Sequence, residues 1–359
     1  MRRSETTPEF TARCILWCDV MLKEVYKGIF FDTVTTKKMG VQELNYCFIP
    51  GKDRSLLIDA GLPPTVSPVC RETLIRDVEE LGIDWKKLDC ILTHAHRDHV
   101  GQCAYLNEMG SRVFVNPADM QQAEDMVNHE VLHPDLRRAL FHRLGLMMSA
   151  PEVFEEFWKA ADIFTAGYED NWKFDWEPLS PGETVEYGDF RLQTVALPGH
   201  TVGQMGLYEE EKKIFFSADQ LVYGLSPLVT DTGHYPTALE DYMDSMRKIK
   251  HQFADCLFIP GHGEPFRHPE EEVDHVVGTY LDKCSIMFDV LRKSEKPLCV
   301  WGVSSRAYGR YKKQMTDMQR VGHILVLYKT NACLNYMKGR GLVTERMEDG
   351  VSMWEAVSA

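Results

Sequence analysis

Thr93-His94-Ala95-His96-Arg97-Asp98-His99 closes the apolar run Leu88-Asp89-Cys90-Ile91-Leu92. The run reads as a buried strand. The residues after it place the metal-capable side chains His94, His96, Asp98 and His99 within a single turn of chain. While the segment stays extended, His94 and His96 point the same way, because side chains alternate along a strand. Asp98 and His99 fall where the chain must turn into the next helix. Imidazole and carboxylate suit zinc, manganese or iron better than soft metals.

Three further pieces lie downstream, each at the end of a predicted strand. Leu197-Pro198-Gly199-His200-Thr201 places His200 on a tight turn. Phe216-Ser217-Ala218-Asp219 ends a strand with a carboxylate. Ile259-Pro260-Gly261-His262-Gly263 sets an imidazole between glycines, which let the backbone turn and approach a site closely. Taken singly, each is ordinary: a strand-end histidine is usually a surface or core residue, and an aspartate there is usually a cap. Their joint order is not ordinary.

Outward from these pieces the chain reads as α/β. Residues 25–62 read as strands, with a hairpin around Gly51-Lys52-Asp53. Val69, Leu74, Ile75, Val78 and Leu81 give residues 68–82 a helical period. Residues 112–116, 190–195, 205–208, 213–217 and 256–260 read as strands and 238–253 as a helix. Strand, helix, strand with polar residues at the strand ends is a layout whose sites lie at those ends. Residues 117–176 differ. Met120, Ala123, Met126 and Val127 suggest one helix, Leu136 to Leu146 a second and Val153 to Ile163 a third. Their Met147, Met148, Phe154, Phe157, Trp158 and Phe164 read either as a local core or as an apolar wall for a substrate. After Pro265 an apolar stripe from Val273 to Leu291 predicts a long helix, and a helix ending near Gly339 runs into a short strand. The expected division is a catalytic domain at 1–265, with a helical insertion at 117–176, and a helical, winged-helix-like domain at 266–359.

The 359 residues hold 40 basic against 54 acidic side chains, a formal net charge of −14, which repels phosphate backbones at long range. With 44% hydrophobic and 26% charged residues the composition is globular. No apolar run is long enough to span a bilayer. Arg2 and Arg3 are not followed by the apolar segment of a signal peptide. The ten cysteines include Cys14 and Cys18 as the one close pair and contain no CxxC, so they read as reduced thiols of a cytoplasmic protein.

Over roughly residues 25–265, the histidine and aspartate set resembles that of the metallo-β-lactamase-fold hydrolases. The resemblance implies an α/β fold, an αββα sandwich with the metal site at one edge of two packed sheets. It implies His94, His96 and His200 as ligands of a first metal, Asp98, His99 and His262 as ligands of a second, and Asp219 as the bridge. Asp59, in Leu57-Ile58-Asp59-Ala60-Gly61, resembles the family's supporting aspartate, which accepts a hydrogen bond from a ligand imidazole. The cofactor implied is a pair of divalent ions, zinc first, with manganese or iron as alternatives. Two such ions about 3.5–4 Å apart hold a bridging hydroxide that attacks an electrophilic carbonyl or phosphorus. Asp98 would also steer the nucleophile, and Tyr223 is the first candidate for an oxyanion donor, ahead of His234.

The leading reaction is hydrolysis of a thioester, lactone or related ester, since glyoxalase II and the N-acyl homoserine lactonases resemble this chain in the whole ligand set. The winged-helix-like tail departs from the glutathione-binding domain of glyoxalase II. A β-lactamase is disfavoured, since those enzymes typically lack a bridging aspartate like Asp219. One alternative is a phosphodiesterase acting on a small phosphodiester, for which Arg137, Arg138 and Arg143, or Arg306, Arg310, Lys312, Lys313 and Arg320 in the tail, could supply cations. The other is a mononuclear-iron persulfide dioxygenase. Flavin-linked diiron proteins carry Glu where this chain has His96. The expected partner is a small-molecule substrate, with neither nucleic acid nor membrane, and a homodimer is the candidate assembly.

Overall fold

Alternation along the first strands sends every second side chain to the centre of the molecule. In β1 (Lys23–Tyr26) and β2 (Ile29–Thr35), Ile29 and Phe31 face inward while Phe30 faces the opposite way. β3 (Glu43–Ile49) and β4 (Ser55–Ile58) form the expected hairpin, with Phe48 opposite Leu57. The structure, a computed structural model, describes residues 22–36, 43–126, 133–165, 172–309 and 316–357. Arg2, Arg3, Cys14, Cys18, Val127, Arg310, Lys312 and Lys313 lie outside the described residues, as do the side chains of Ile163 and Phe164.

The first sheet continues through β5 (Leu88–Ile91), β6 (Arg112–Val115) and β7 (Glu177–Pro178), running in chain order from β1 to β7. Its later pairs, from β4 to β7, are parallel, so their carboxyl ends share one edge. α1 (Pro68–Glu80), α2 (Arg97–Val100) and α3 (Cys103–Glu108) cover its outer face. The second sheet has the order β12-β11-β10-β9-β8. Its strands are β8 (Thr184–Tyr187), β9 (Phe190–Ala196), β10 (Met205–Glu209), β11 (Ile214–Ala218) and β12 (Leu257–Pro260), the last two parallel. Ile29, Phe31, Ile49 and Ile58 meet Leu192, Leu207, Phe216 and Ile259 between the sheets, all buried. Helices outside two face-packed sheets make the expected αββα sandwich.

The insertion forms α4 (Pro117–Met126), α5 (Pro134–Arg143), α6 (Leu146–Ser149) and α7 (Pro151–Thr165). α8 (Ala238–Gln252) follows the second sheet. Beyond it come α9 (Pro269–Arg292), β13 (Leu298–Cys299), α10 (Val300–Ala307), α11 (Asp317–Gly339), β14 (Val343–Glu348) and β15 (Val351–Ala356). Helix, short strand, two helices and a hairpin, with β15 between β13 and β14, is a winged-helix order. Pro269 opens α9 and Glu270 to Glu272 fill its first turn, where carboxylates complement the helix dipole. Thr316 and Gln319 cap α11 reciprocally.

The insertion's aromatics have a clear fate. Phe141, Phe154 and Phe157 are buried in one hydrophobic cluster with Tyr280, Trp301, Leu327 and Trp354 of the C-terminal helices and hairpin. They are core, shared across residue 265, rather than a free wall. Among the described residues of the insertion, those of α4 reach the histidine cluster.

Candidate metal centre

The carboxyl ends of the strands meet at one edge, and every residue of the expected ligand set stands there. β4 ends in Asp59, in the left-handed region at φ 62°. β5 leads through Thr93 to His94, and the Met205 N–H donates to the Thr93 carbonyl (2.8 Å), fastening the two sheets at this edge. His96 precedes α2, which carries Asp98 and His99. His200 lies on the turn after β9, Asp219 follows β11, and His262 follows β12.

The contacts fall into two overlapping halves. On one side, His96 Nδ1 lies 3.0 Å from His94 Nε2 and 2.9 Å from His200 Nε2. On the other, His99 Nε2 lies 3.9 Å from Asp98 Oδ1, and His262 Nε2 lies 3.6 Å from Asp98 Oδ2. Asp219 touches both. Its Oδ1 is 3.4 Å from His99 Nε2, while its Oδ2 is 3.0 Å from His262 Nε2, 3.7 Å from His200 Nε2 and 4.0 Å from His94 Nε2. The donor groups His94/His96/His200, His94/His99/Asp219 and Asp98/His99/His262 each place their atoms within 4.8 Å of one another.

The outward nitrogens are held so that bare lone pairs face in. His200 Nδ1 donates to the Leu228 carbonyl (2.8 Å) and His262 Nδ1 to the Glu43 carbonyl (2.6 Å). His99 Nδ1 lies 2.9 Å from Asp59 Oδ2. The Thr93 N–H (2.8 Å) and hydroxyl both donate to Asp59, which fixes that carboxylate. Asp59 thus has the geometry of the supporting aspartate.

Two observations test whether a cation fits. His99 Nε2 and Asp219 Oδ1 are buried and make no hydrogen bond, facing each other only as an ion pair at 3.4 Å, a costly state that a coordinated cation would relieve. His96 Nδ1 approaches His94 Nε2 and His200 Nε2 to about 3 Å, close to the roughly 3.3 Å separation in a tetrahedral site with Zn–N of about 2.0–2.1 Å. A nitrogen and carboxylate donor set without sulfur suits zinc, manganese or iron.

The protonation pattern agrees. Burial pushes His94, His96 and His200 down, His200 to about 4, which keeps them neutral and ready to coordinate. Burial would depress His99 and His262 also, but the Asp219 carboxylate outweighs it. His99 is held well above the usual range and His262 at about 9. Burial would raise Asp219, yet His262 and His99 pull it well below the carboxylate range. In the metal-free protein, protons on His99 and His262 therefore do the work of the cation. The His262 proton stabilises the metal-free fold fully below its ordinary pKa of 6.5, and that contribution disappears as pH rises through about 9. Metal must displace it. Apparent zinc affinity should rise about tenfold per pH unit for each displaced proton between roughly pH 6.5 and 8, with proton release measurable in weakly buffered solution. A pH-independent affinity would contradict this.

Glycine closes the site. A Cβ on Gly261 would stand 2.5 Å from Asp219 Oδ1 and 3.0 Å from His99 Cε1. Two residues that the motifs did not single out hold the loops. Asp119 is buried; its Oδ2 accepts from the Ala95 N–H (2.5 Å) and its Oδ1 from the Gly203 N–H (2.8 Å), clamping the His94–His99 loop to the His200 loop. The Asn45 amide donates to the carbonyls of Pro260 (3.0 Å) and Gly263 (2.8 Å), holding the His262 loop. Asn45 had a signal, a polar residue inside an apolar strand. Asp119, in the first turn of a helix, looked like an ordinary cap.

Other candidates stand elsewhere. Tyr223 is 67% exposed with its ring 5.8 Å from Phe266, outside the cavity beside His96 and His200. That cavity, about 340 Å³, is bordered instead by Gln122, Met126, Thr230, Thr232, His234 and Tyr235. The arginines are not a groove. The Arg137 side chain is 2% exposed, pairs with Asp162 and lies 4.1 Å from the Trp158 ring centre. Arg138 covers Phe154 and Trp158, and Arg143 faces Glu345. Arg320 pairs with Glu156 (3.0 Å), and Arg306 donates to the Gly302 carbonyl. Arg137 is buried and paired, while Arg138, Arg143 and Arg306 stay exposed and lie against neighbouring side chains or backbone.

Known proteins resemble this chain in sequence and in fold. Residues 116–262 match the model of the metallo-beta-lactamase superfamily. This chain carries a metallo-beta-lactamase superfamily domain. A hydroxyacylglutathione hydrolase of Haemophilus influenzae is 29% identical over 195 residues, 54% of this chain and 75% of that protein. An acyl-coenzyme A thioesterase of Gallus gallus is 24% identical over 274 residues, 75% of this chain and 88% of that one. A beta-lactamase domain protein from Burkholderia ambifaria superposes with a TM-score of 0.75 at 18% identity, covering 96% of this chain and 97% of that one. A metallo-beta-lactamase family protein from Thermus thermophilus gives 0.73 at 19% identity, covering 92% and 99%. Both structures share the fold. The Haemophilus influenzae and Gallus gallus relatives are named as a hydrolase and a thioesterase. Among the described residues no helix is long and apolar enough to cross a membrane.

Proposed function

We propose that the protein hydrolyses a thioester, lactone or related ester with two divalent ions, zinc in the first place. The observation that carries this is the pair of donor triads, His94/His96/His200 and Asp98/His99/His262, joined by Asp219. When bound, such ions supply Lewis acidity and lower the pKa of water toward neutrality. The side chains do the rest. Asp59, Leu228 and Glu43 fix the imidazoles. The Asp98 side chain, 16% exposed, accepts a proton from the attacking water. His234, at the cavity and beside the histidines, is better placed than Tyr223 to donate to a developing oxyanion.

The cavity lining supports an acyl group. No Lys or Arg is among the described residues that border it, so it suits an uncharged acyl group rather than a phosphoryl centre. Relatives named as hydrolases of hydroxyacylglutathione and acyl-coenzyme A support a thioester ahead of a lactone. None of the described arginines Arg137, Arg138, Arg143, Arg306 and Arg320 borders this cavity, which weakens the phosphodiesterase reading. The one-iron persulfide reading leaves half of the donors unused. Substrate is a small molecule, and the eight described cysteines, all free and buried, suit the cytoplasm. The catalytic unit spans 1–265 and the winged-helix-like unit 266–359.

Elemental mass spectrometry on the protein purified without added metal, followed by a thioester and lactone panel, tests the proposal. About two zinc or manganese ions per chain with thioester turnover is expected. About one iron with oxygen uptake would overturn it.

A further inference from the structure

Between Asp219 and α8 the chain passes through residues 226–236, which form no helix or strand. Their shape is set by the C-terminal helices. Tyr280 of α9, fully buried, donates its hydroxyl to the Pro227 carbonyl (2.6 Å) and accepts from the Val229 N–H (2.9 Å). Asp231, 2% exposed, is the second anchor. Its Oδ1 accepts from the N–H groups of Gly233 (2.7 Å) and Tyr235 (3.1 Å). Its Oδ2 accepts from the amides of Asn331 (2.9 Å) and Asn335 (2.8 Å), one helical turn apart on α11. Asn331 also donates to the Asp231 carbonyl (3.2 Å), and the Asp231 N–H reaches the Tyr328 carbonyl (3.3 Å). A buried carboxylate is costly unless its lone pairs are filled, and here N–H donors from the loop and from α11 fill them.

The segment so fastened does two things at the site. Leu228, between the two anchors, presents the carbonyl that accepts from His200 Nδ1. Thr230, Thr232, His234 and Tyr235, around Asp231, border the cavity beside His96 and His200.

We infer that Asp231 is a positioning residue, through which α11, together with Tyr280 of α9, sets the orientation of His200 and the wall of the substrate cavity. The winged-helix-like unit then supports the metal site through the loop that holds His200. The inference rests on His200 being a metal ligand, as proposed above.

The test uses the full-length protein, zinc and cobalt, and no substrate. Asp231→Asn leaves one acceptor oxygen and one NH2 facing four N–H donors, so either the side-chain bonds to Asn331 and Asn335 or those to Gly233 and Tyr235 are lost. Zinc affinity should fall about 10–100-fold, the usual effect of disturbing a ligand's outer partner. The visible absorption of the cobalt-loaded protein should change, while the metal-free protein keeps its cooperative melt. Asp231→Asn combined with Asn331→Asp restores a carboxylate–amide bond between the same positions and should recover most of both signals. Unchanged zinc affinity and cobalt spectrum in Asp231→Asn would overturn the inference. Should that variant fail to fold, Tyr280→Phe removes only the hydroxyl that holds Pro227 and Val229 and must shift the same two readouts in the same direction; no shift overturns it equally. Failure of the ester-hydrolase proposal looks different: zinc binding responds to Asp231 as stated, but no thioester or lactone is cleaved.

Discussion

Asp219→Ala should lower bound metal from about two ions per chain to one or fewer and reduce turnover about a thousandfold or more. Asp219 reaches both halves of the site, at 3.4 Å from His99, 3.0 Å from His262 and 3.7 Å from His200. Charge stabilisation by a metal is worth several kcal/mol, and each 1.36 kcal/mol is a factor of ten in rate. Removing the carboxylate also removes the largest of the charges that hold the His99 and His262 protons in the metal-free protein, leaving Asp59 and Asp98 beside His99 and Asp98 beside His262. The pH-dependent stability described above should therefore shrink in the variant's metal-free form. Elemental mass spectrometry, turnover on the best substrate of the panel and a thermal melt across pH 6.5–9 check the three statements. Two ions per chain with full turnover would end the shared-bridge reading.

Asp89→Ala should cost about 3 kcal/mol of stability and leave metal content alone. Asp89 lies at the opposite end of the parallel strands, buried at 1% exposure. Arg54 and Arg112 each bond both of its oxygens, at 2.5–2.8 Å, and the Tyr187 hydroxyl of the second sheet donates at 3.0 Å. Burial would raise its pKa, but Arg112 and Arg54 outweigh burial and hold it below the usual range. Its contribution is present above the ordinary carboxylate pKa and is lost as pH falls through the lower folded value. Stripping one partner from a buried ion pair costs about 3–5 kcal/mol. The guanidiniums, with side chains 31% and 44% exposed, can regain water, which sets the expectation at the low end. Denaturant unfolding of the two proteins measures the difference. A stability loss under about 1 kcal/mol, or a loss of metal, would contradict the assignment of this end to folding and the other to chemistry. The large cavity at this end, about 1330 Å³, includes Arg54, Arg112 and Tyr187, whose polar groups Asp89 already occupies.

The donor set was legible because it is local. Each ligand sits at a strand end beside glycine or a turn, and His94 to His99 fall within a single stretch. The strand period, the apolar stripe of α9 and the hairpin at Gly51 were legible for the same reason: neighbours in sequence share a face. Pairings across the chain were not. Asp119 meets Ala95 and Gly203, Asn45 meets Pro260, and Asp231 meets Asn331, far along the chain. Periodicity carries no record of such contacts, since each of these residues looks like a cap, a turn or a surface polar group where it stands. The arginines of α5 looked like a cationic patch because sequence gives charge but not burial. Only the fold turned Arg137 under Trp158 and aimed the insertion's aromatics at the C-terminal helices. Sequence by itself determined which atoms could hold metal. The tertiary structure decided which lone pairs face one another, which loops hold them there, and that His234 rather than Tyr223 faces the cavity, because those depend on contacts between segments far apart in the chain.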